Sequence, residues 1–149
     1  MSEHPFLSPS LEVNWPELTP DRIHPDLMEA IRRAEEALAR LIALPAEALT
    51  YDNTFGAFEE LTRVVGEPWG LVSHLEGVLN TPEFRAEFKK TQPEVTRFFS
   101  GLPLNPGLWR QLKTFAESEA AAALDPMRKR HVEEVVADFQ QSGADLPDE

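Results

Sequence analysis

The sequence contains no cysteine. It therefore has no disulfide, no thiolate nucleophile and no thiolate zinc ligand, and carboxylates and four histidines remain as candidate metal ligands. It also has no apolar run near the ~20 residues that a membrane-spanning helix needs. The first residues lack the basic flank and continuous apolar stretch of a secretory signal. We therefore expect a cytoplasmic protein with no membrane partner.

Basic charge is scarce. The chain has 14 basic and 26 acidic residues, a net charge of −12, and its densest basic run is Arg128, Lys129 and Arg130. This balance repels phosphate backbones and argues against nucleic acid as a partner. A negative field could attract cationic peptides, but surplus acid is more often a feature that keeps a protein in solution.

Proline, in contrast, is abundant, with 13 residues among 149. Four of these prolines follow a side chain that can cap a helix, namely Thr19-Pro20, Thr81-Pro82, Asn105-Pro106 and Asp125-Pro126. Proline is tolerated at the first helical position because its missing N–H is not needed there. These four pairs predict four helix starts.

Apolar residues between these starts recur at spacings of three and four, which is typical of amphipathic helices. The predicted stripes are Leu27, Ile31, Ala34, Leu38 and Leu41; Phe58, Leu61, Val65, Val72, Leu75 and Leu79; Phe84, Phe88, Val95 and Phe98; Leu108, Leu112 and Phe115; and Val132, Val135, Val136 and Phe139. Pro68 indicates either a kink or two abutting helices, and Pro93 predicts an interruption. Leu71 and Val78 lie off the main stripe, which predicts a helix buried on more than one side.

No stretch shows the alternation of a β-strand, and there is no Asn-Gly or Asp-Gly hairpin turn. The sequence thus predicts an all-α bundle of five or six helices over residues 19–149. Residues 1–18 are predicted to be an extended N-terminal arm, pinned to the bundle by Phe6, Leu7, Leu11 and Trp15. Gly143 is a good residue to end the last helix.

His131 invites a metal-site interpretation because Glu133 and Glu134 follow it. The zinc-peptidase motif His-Glu-x-x-His is absent, since Val135 occupies the place of the second histidine. On a helix, His131, Glu134 and Asp138 fall on nearly the same side, so a weak metal cluster is geometrically allowed. The alternative, which we favour, is a solvated helix edge with a surface ion pair.

The other histidines offer little chemistry. His74 lies in an apolar stretch and is predicted to be the most buried histidine, with a hydrogen-bonded core role, while Ser73 has no nucleophile elbow around it. His4 lies in the arm and His24 precedes Pro25 at a helix entrance. Without a Walker loop, a GxGxxG motif or an EF-hand, the chain by itself is not predicted to be an enzyme.

Five segments follow one another along the chain: HPFLSPS, LTPDRIHPDLMEAI, LTYDNTFGAFEEL, LVSHLEGVLNTPEFRAEFKKTQPEV and RKRHVEEVVADFQQSGADLP. Taken in this order, they resemble the N-terminal region of the thimet oligopeptidase, neurolysin and bacterial oligopeptidase A family of zinc metallopeptidases. Each alone is an ordinary helix-and-turn pattern. Their order is what carries the resemblance, which runs nearly from end to end.

The resemblance implies that zinc and the His-Glu-x-x-His helix lie in a catalytic domain far downstream, which would be this chain's partner on the same polypeptide. No catalytic, cofactor-binding or metal residue is therefore carried over to any position here. The region would form part of the wall of a channel that admits short peptides and excludes folded proteins. The parent protein would be a zinc metallo-oligopeptidase, a hydrolase.

Two interpretations follow. In the first, the chain is the N-terminal domain of such a peptidase, with Leu146-Pro147 resembling the start of the next segment and the end falling at a domain boundary. In the second, it is a stand-alone helical protein-interaction module without enzymatic activity. Exposed apolar surface would be expected of either.

Overall fold

The computed structural model describes residues 3–8 and 14–146, so that Leu11 of the predicted arm and Pro147 of the predicted boundary lie outside the described residues. These residues contain six α-helices and no strand, which confirms the predicted all-α class and helix number. The helices are α1 (Pro20–Ile42), α2 (Ala57–Leu79), α3 (Pro82–Gly101), α4 (Pro106–Ala116), α5 (Glu119–Ala122) and α6 (Pro126–Gln141).

All four predicted cap-proline starts are confirmed, since α1, α3, α4 and α6 each begin at the proline of such a pair. The side chain of Asn105 accepts a hydrogen bond from the Leu108 N–H, and that of Asp125 accepts one from the Arg128 N–H. Each bond satisfies one of the backbone N–H groups that the first turn of a helix leaves unpaired.

Prolines inside the helices do not break them. Helix α2 runs unbroken through Pro68, and α3 runs unbroken through Pro93, where the sequence predicted an interruption. An interior proline costs ~3 kcal/mol because it removes a hydrogen bond and crowds the preceding turn. Pro68 is buried in α2, so packing of its ring offsets part of this cost.

The chain divides into two compact units. Unit 1 comprises Met1–Glu35 and Leu61–Phe98. Its core contains Phe6, Leu18, Ile23, Leu27, Ala30, Ile31, Ala34, Leu61, Val65, Val72, Leu75, Phe84, Val95 and Phe98. In the described part of the predicted arm, 3₁₀ turns at Pro5–Leu7 and Trp15–Glu17 replace continuous extended backbone. Phe6 is buried as predicted, but Trp15 is 55% exposed and Leu18 is the buried residue that follows it.

Unit 2 comprises Glu36–Glu60 and Phe99–Glu149. Its core contains Leu41, Phe55, Leu102, Leu108, Trp109, Leu112, Phe115, Ala121, Val132 and Phe139. The end of α1 is closed by buried Gln111, whose Nε2 donates to the carbonyls of Leu41, Ile42 and Leu44 at 3.0, 3.2 and 2.8 Å. Carbonyls in a last helical turn have no partner within the helix; the amide supplies one to Ile42 and adds to the bond that the Leu41 carbonyl accepts from the Leu44 N–H at 3.3 Å.

The end of α6 follows the sequence prediction for Gly143, which has a φ of +94°. The Gly143 N–H donates to the Gln140 carbonyl and the Ala144 N–H donates to the Phe139 carbonyl, both at 3.0 Å. This pair of bonds is the Schellman arrangement that glycine favours after a helix. Among residues 3–8 and 14–146, no helix is long and apolar enough to cross a membrane.

Candidate functional site

In unit 2, polar and aromatic side chains gather around Tyr51, which lies just before the start of α2. The Asn53 side chain accepts from the Thr50 N–H at 2.7 Å, and the Asn53 N–H donates to the Thr50 hydroxyl at 3.1 Å. A π-helical turn, Asp52–Gly56, follows, in which the Gly56 N–H donates to the Tyr51 carbonyl at 2.9 Å. Such turns are rare and frequently occur at functional sites.

Helix α6 supplies the partners of Tyr51. Residues three apart on a helix share a side, so Arg128 and His131 both reach the Tyr51 ring. The Tyr51 hydroxyl lies 2.7 Å from His131 Nδ1. The Arg128 guanidinium lies over the same ring, 5.0 Å from its centroid, at a distance typical of a cation–π contact.

Two phenylalanines complete this group. The Phe55 ring is fully buried and lies parallel to the Tyr51 ring, with 6.3 Å between their centroids. Phe55 meets the His131 ring edge-on at 6.2 Å and the Phe115 ring at 6.0 Å. We call Tyr51, Phe55, Phe115, Arg128 and His131 the Tyr51 cluster. Each ring of the cluster restrains its neighbours, so the Tyr51 hydroxyl is held in a fixed direction.

Electrostatics keep the Tyr51 phenol neutral. Burial raises the pKa of Tyr51, the charge of Glu59 raises it further, and Arg128 opposes the shift. The phenol therefore keeps its proton at neutral pH, and the imidazole tautomer sets which of the two groups donates in the Tyr51–His131 hydrogen bond. The cluster can position groups and make hydrogen bonds, but it supplies no activated nucleophile.

The structure gives His131 a role that neither sequence interpretation contained. Its Nδ1 is bonded to Tyr51, and Glu134 is paired with Arg130, whose Nε lies 2.8 Å from the Glu134 carboxylate. His131, Glu134 and Asp138 are thus not gathered around a common point. In the described parts of the chain, no group of three His, Asp or Glu side chains could hold a metal ion.

His74 contradicts its prediction, because it is exposed, as is Ser73. Helix α2 buries one stripe, made of Leu61, Val65, Pro68, Val72 and Leu75, and His74 falls outside it. The expectation that α2 is buried on more than one side is also wrong in part. Val78 is 65% exposed and Leu71 is half-buried.

His24 and His4 each have a specific partner in unit 1. The Thr91 hydroxyl donates to the Glu87 carbonyl at 2.8 Å, so its oxygen is free to accept from His24 Nδ1 at 3.2 Å. His4 Nδ1 lies 2.9 Å from Oδ1 of Asp26, which is fully buried. Sequence reasoning missed Asp26, although an acid on the same helical face as Ile23 and Ala30 was a detectable signal.

Comparison with known proteins identifies the region. The family described as Neurolysin/Thimet oligopeptidase, N-terminal domain, matches residues 26–149. Oligopeptidase A of Escherichia coli is 27% identical over 146 residues, covering 98% of this chain and 21% of the relative. Oligopeptidase A of Salmonella typhimurium is 25% identical over 132 residues, covering 89% and 19%. A probable cytosolic oligopeptidase A of Arabidopsis thaliana is 33% identical over 81 residues, covering 54% and 12%.

The chain therefore spans about a fifth of the length of the two bacterial relatives, at 21% and 19%, and 12% of the plant relative. The family match covers most of the described residues, including both partners of the Tyr51–His131 hydrogen bond. The resemblance given by the order of helix and turn segments is confirmed. This chain belongs to the neurolysin/thimet oligopeptidase N-terminal domain family.

Proposed function

We propose that this chain serves as the N-terminal helical domain of a zinc-dependent oligopeptidase and forms part of the wall of a channel that restricts substrates to short peptides. The observation that carries the proposal is the family match over residues 26–149, together with relatives named oligopeptidase A of which the chain covers about a fifth. Selection by such a wall is steric and needs no reactive side chain in this region.

In this proposal the zinc site lies in the remainder of the polypeptide and not in this chain. The described residues do not fit a zinc site, because no three of their His, Asp or Glu side chains converge. Metal-assisted hydrolysis is therefore assigned to the remainder of the polypeptide.

Exposed apolar side chains support a role in contact with further protein. Val78 in unit 1 is 65% exposed, and Leu104 and Met127 in unit 2 are 66% and 82% exposed. Exposed apolar side chains mark an interface where they form a contiguous patch. A catalytic domain on the same polypeptide is the partner we propose for them.

A chimera tests the proposal. The matched N-terminal part of Escherichia coli oligopeptidase A is replaced by residues 1–149, and the rate of cleavage is compared between short fluorogenic peptides and a folded protein that contains the same cleavage site. We expect cleavage of the short peptides only. The chimera's folding is checked by circular dichroism and by its melting transition.

Two results would contradict this assignment. If a folded chimera cleaves the folded protein as fast as the peptides, the chain does not form a wall that restricts substrates. If purified residues 1–149 cleave peptides in a zinc-dependent manner, catalysis is not confined to the remainder of the polypeptide. A folded chimera without activity, combined with specific capture of another protein by residues 1–149, would favour the stand-alone interaction module.

A further inference from the structure

Asp26 is the one fully buried acidic residue among residues 3–8 and 14–146, at 0% exposure. Both of its carboxylate oxygens are bound by the N-terminal segment. Oδ1 lies 2.9 Å from His4 Nδ1, and Oδ2 accepts from the Phe6 N–H at 2.9 Å. A buried carboxylate is costly unless it is paired and hydrogen-bonded, so these contacts compensate for its burial.

The segment that supplies these contacts is short. It comprises residues 3–8 and is folded into the single 3₁₀ turn Pro5–Leu7, in which the Leu7 N–H donates to the His4 carbonyl at 3.0 Å. Phe6, at 4% exposure, is its buried apolar anchor. A long contact of 3.5 Å joins Arg22 Nη1 to the Glu3 carbonyl.

These contacts differ in kind from those that hold the helices of unit 1. Each helix buries a stripe of apolar side chains, whereas the segment depends on one ring and on hydrogen bonds to one carboxylate. His4 is also partly open to water, with 26% of its side chain exposed. Regions with few buried apolar contacts open locally, at a smaller free-energy cost than unfolding of the core.

We propose that residues 3–8 form a latch that opens and closes without unfolding of unit 1, and that Asp26 holds it closed. Closing buries the Phe6 ring and the Asp26 carboxylate together, because the Phe6 N–H and the His4 ring that bind this carboxylate belong to the same 3₁₀ turn and its N-cap. Opening returns the carboxylate to water. This inference stands on unit 1 alone and is independent of the proposed peptidase role.

Hydrogen exchange of the Phe6 amide in the full chain is the direct test, because this N–H is itself bonded to Asp26. In His4→Ala and in Asp26→Ala we expect its exchange rate, corrected for intrinsic exchange, to rise about tenfold or more, since each loses a hydrogen bond that involves a charged group. Amides in the middle of α1, such as Ile31, should keep their wild-type rates.

A matched control is His74→Ala, which removes an exposed histidine from the same unit. Because the chain has no cysteine, Glu3→Cys also provides a unique site for a nitroxide label. The fraction of mobile label should rise with His4→Ala and stay at the wild-type value with His74→Ala.

Three outcomes would overturn the proposal. One is a Phe6 exchange rate that neither His4→Ala nor Asp26→Ala changes. Another is Phe6 exchange at the same rate as Ile31 in every variant, which would mean that the segment opens only when unit 1 unfolds. The third is an equal increase in His74→Ala. Should Asp26→Ala fail to fold, His4→Ala still decides, because His4 lies in the segment itself.

Discussion

Units 1 and 2 bury their polar groups in different ways. Unit 1 contains a fully buried carboxylate, Asp26, whose partners come from the short N-terminal segment. In unit 2 the buried polar side chain of Gln111 and the half-buried one of Tyr51 are neutral, and their partners belong to α1, its C-terminal turn and α6. The buried carboxylate of unit 1 therefore has its hydrogen-bond partners in a short N-terminal segment. The neutral polar side chains of unit 2 have theirs in helices and a helix-ending turn.

The aromatic residues differ as well. Unit 2 joins Phe58, Phe139 and Trp109 through ring contacts of 5.4 and 5.7 Å, in addition to the rings of the Tyr51 cluster. In unit 1, Trp69 and Phe88 stack with centroids 4.8 Å apart. The core of unit 2 is thus built around connected rings, and we expect it to be more sensitive to the loss of one ring.

Truncating one fully buried ring in each unit should give the largest effects. Phe55→Ala in unit 2 should cost about 3 to 5 kcal/mol, and Phe84→Ala in unit 1 should also fall within this range. We expect Phe55→Ala to cost about 1 kcal/mol more, because Phe55 also loses its ring contacts to Tyr51 and Phe115. Urea unfolding gives both values, and an equal or larger loss in Phe84→Ala would contradict the proposed difference between the cores.

Removing the amide of Gln111 should have the next largest effect. Gln111→Leu leaves the carbonyls of Ile42 and Leu44 without this donor, while the Leu41 carbonyl keeps the Leu44 N–H, and leaving buried groups unsatisfied costs about 1 to 3 kcal/mol. Gln141→Leu, at an exposed position in the same unit, is the matched control and should stay within about 0.5 kcal/mol of wild type. If the two variants unfold at the same urea concentration, Gln111 does not stabilise the end of α1.

Glycine substitutions should change stability in opposite directions in the two units. Gly143→Ala should destabilise unit 2 by about 1 kcal/mol, because a φ of +94° is unfavourable for alanine. Gly77→Ala should stabilise unit 1 by about 0.5 to 1 kcal/mol, since alanine is the better helix former and an added Cβ meets no atom within 4 Å. Thermal melts would show the two shifts, and a stabilising Gly143→Ala would exclude the left-handed cap.

The smallest effect concerns a surface carboxylate of unit 1. Hydrogen bonds from Arg32 and then Arg33 lower the pKa of Glu29 from 4.5 to about 2. A carboxylate whose pKa is lowered by folding stabilises the protein above its unfolded pKa, and this contribution is lost as the pH falls towards the folded value. We therefore expect Glu29→Gln to reduce the loss of stability between about pH 4.5 and pH 2. A titration of Glu29 near 4.5, followed by NMR, would contradict this.

Sequence signals predicted the structure correctly where the interactions involved act within one helical turn. The pairs Thr81-Pro82 and Asp125-Pro126 predicted helix starts, because a capping oxygen and a fixed φ act within one turn. Gly143 predicted a helix end for the same reason, since a left-handed residue is required there. His74 was mispredicted because an apolar neighbourhood along the chain does not reveal which stripe of α2 is buried.

The sequence by itself therefore determined the all-α class, the starts of α1, α3, α4 and α6, the end of α6 and, through the order of its segments, the family. Only the tertiary structure decided the contacts between distant residues. Tyr51 and His131 are 80 residues apart, and Asp26 is 22 residues from His4. Caps and stripes depend on neighbours within a few residues, whereas the partner of a buried polar group depends on which helices pack together.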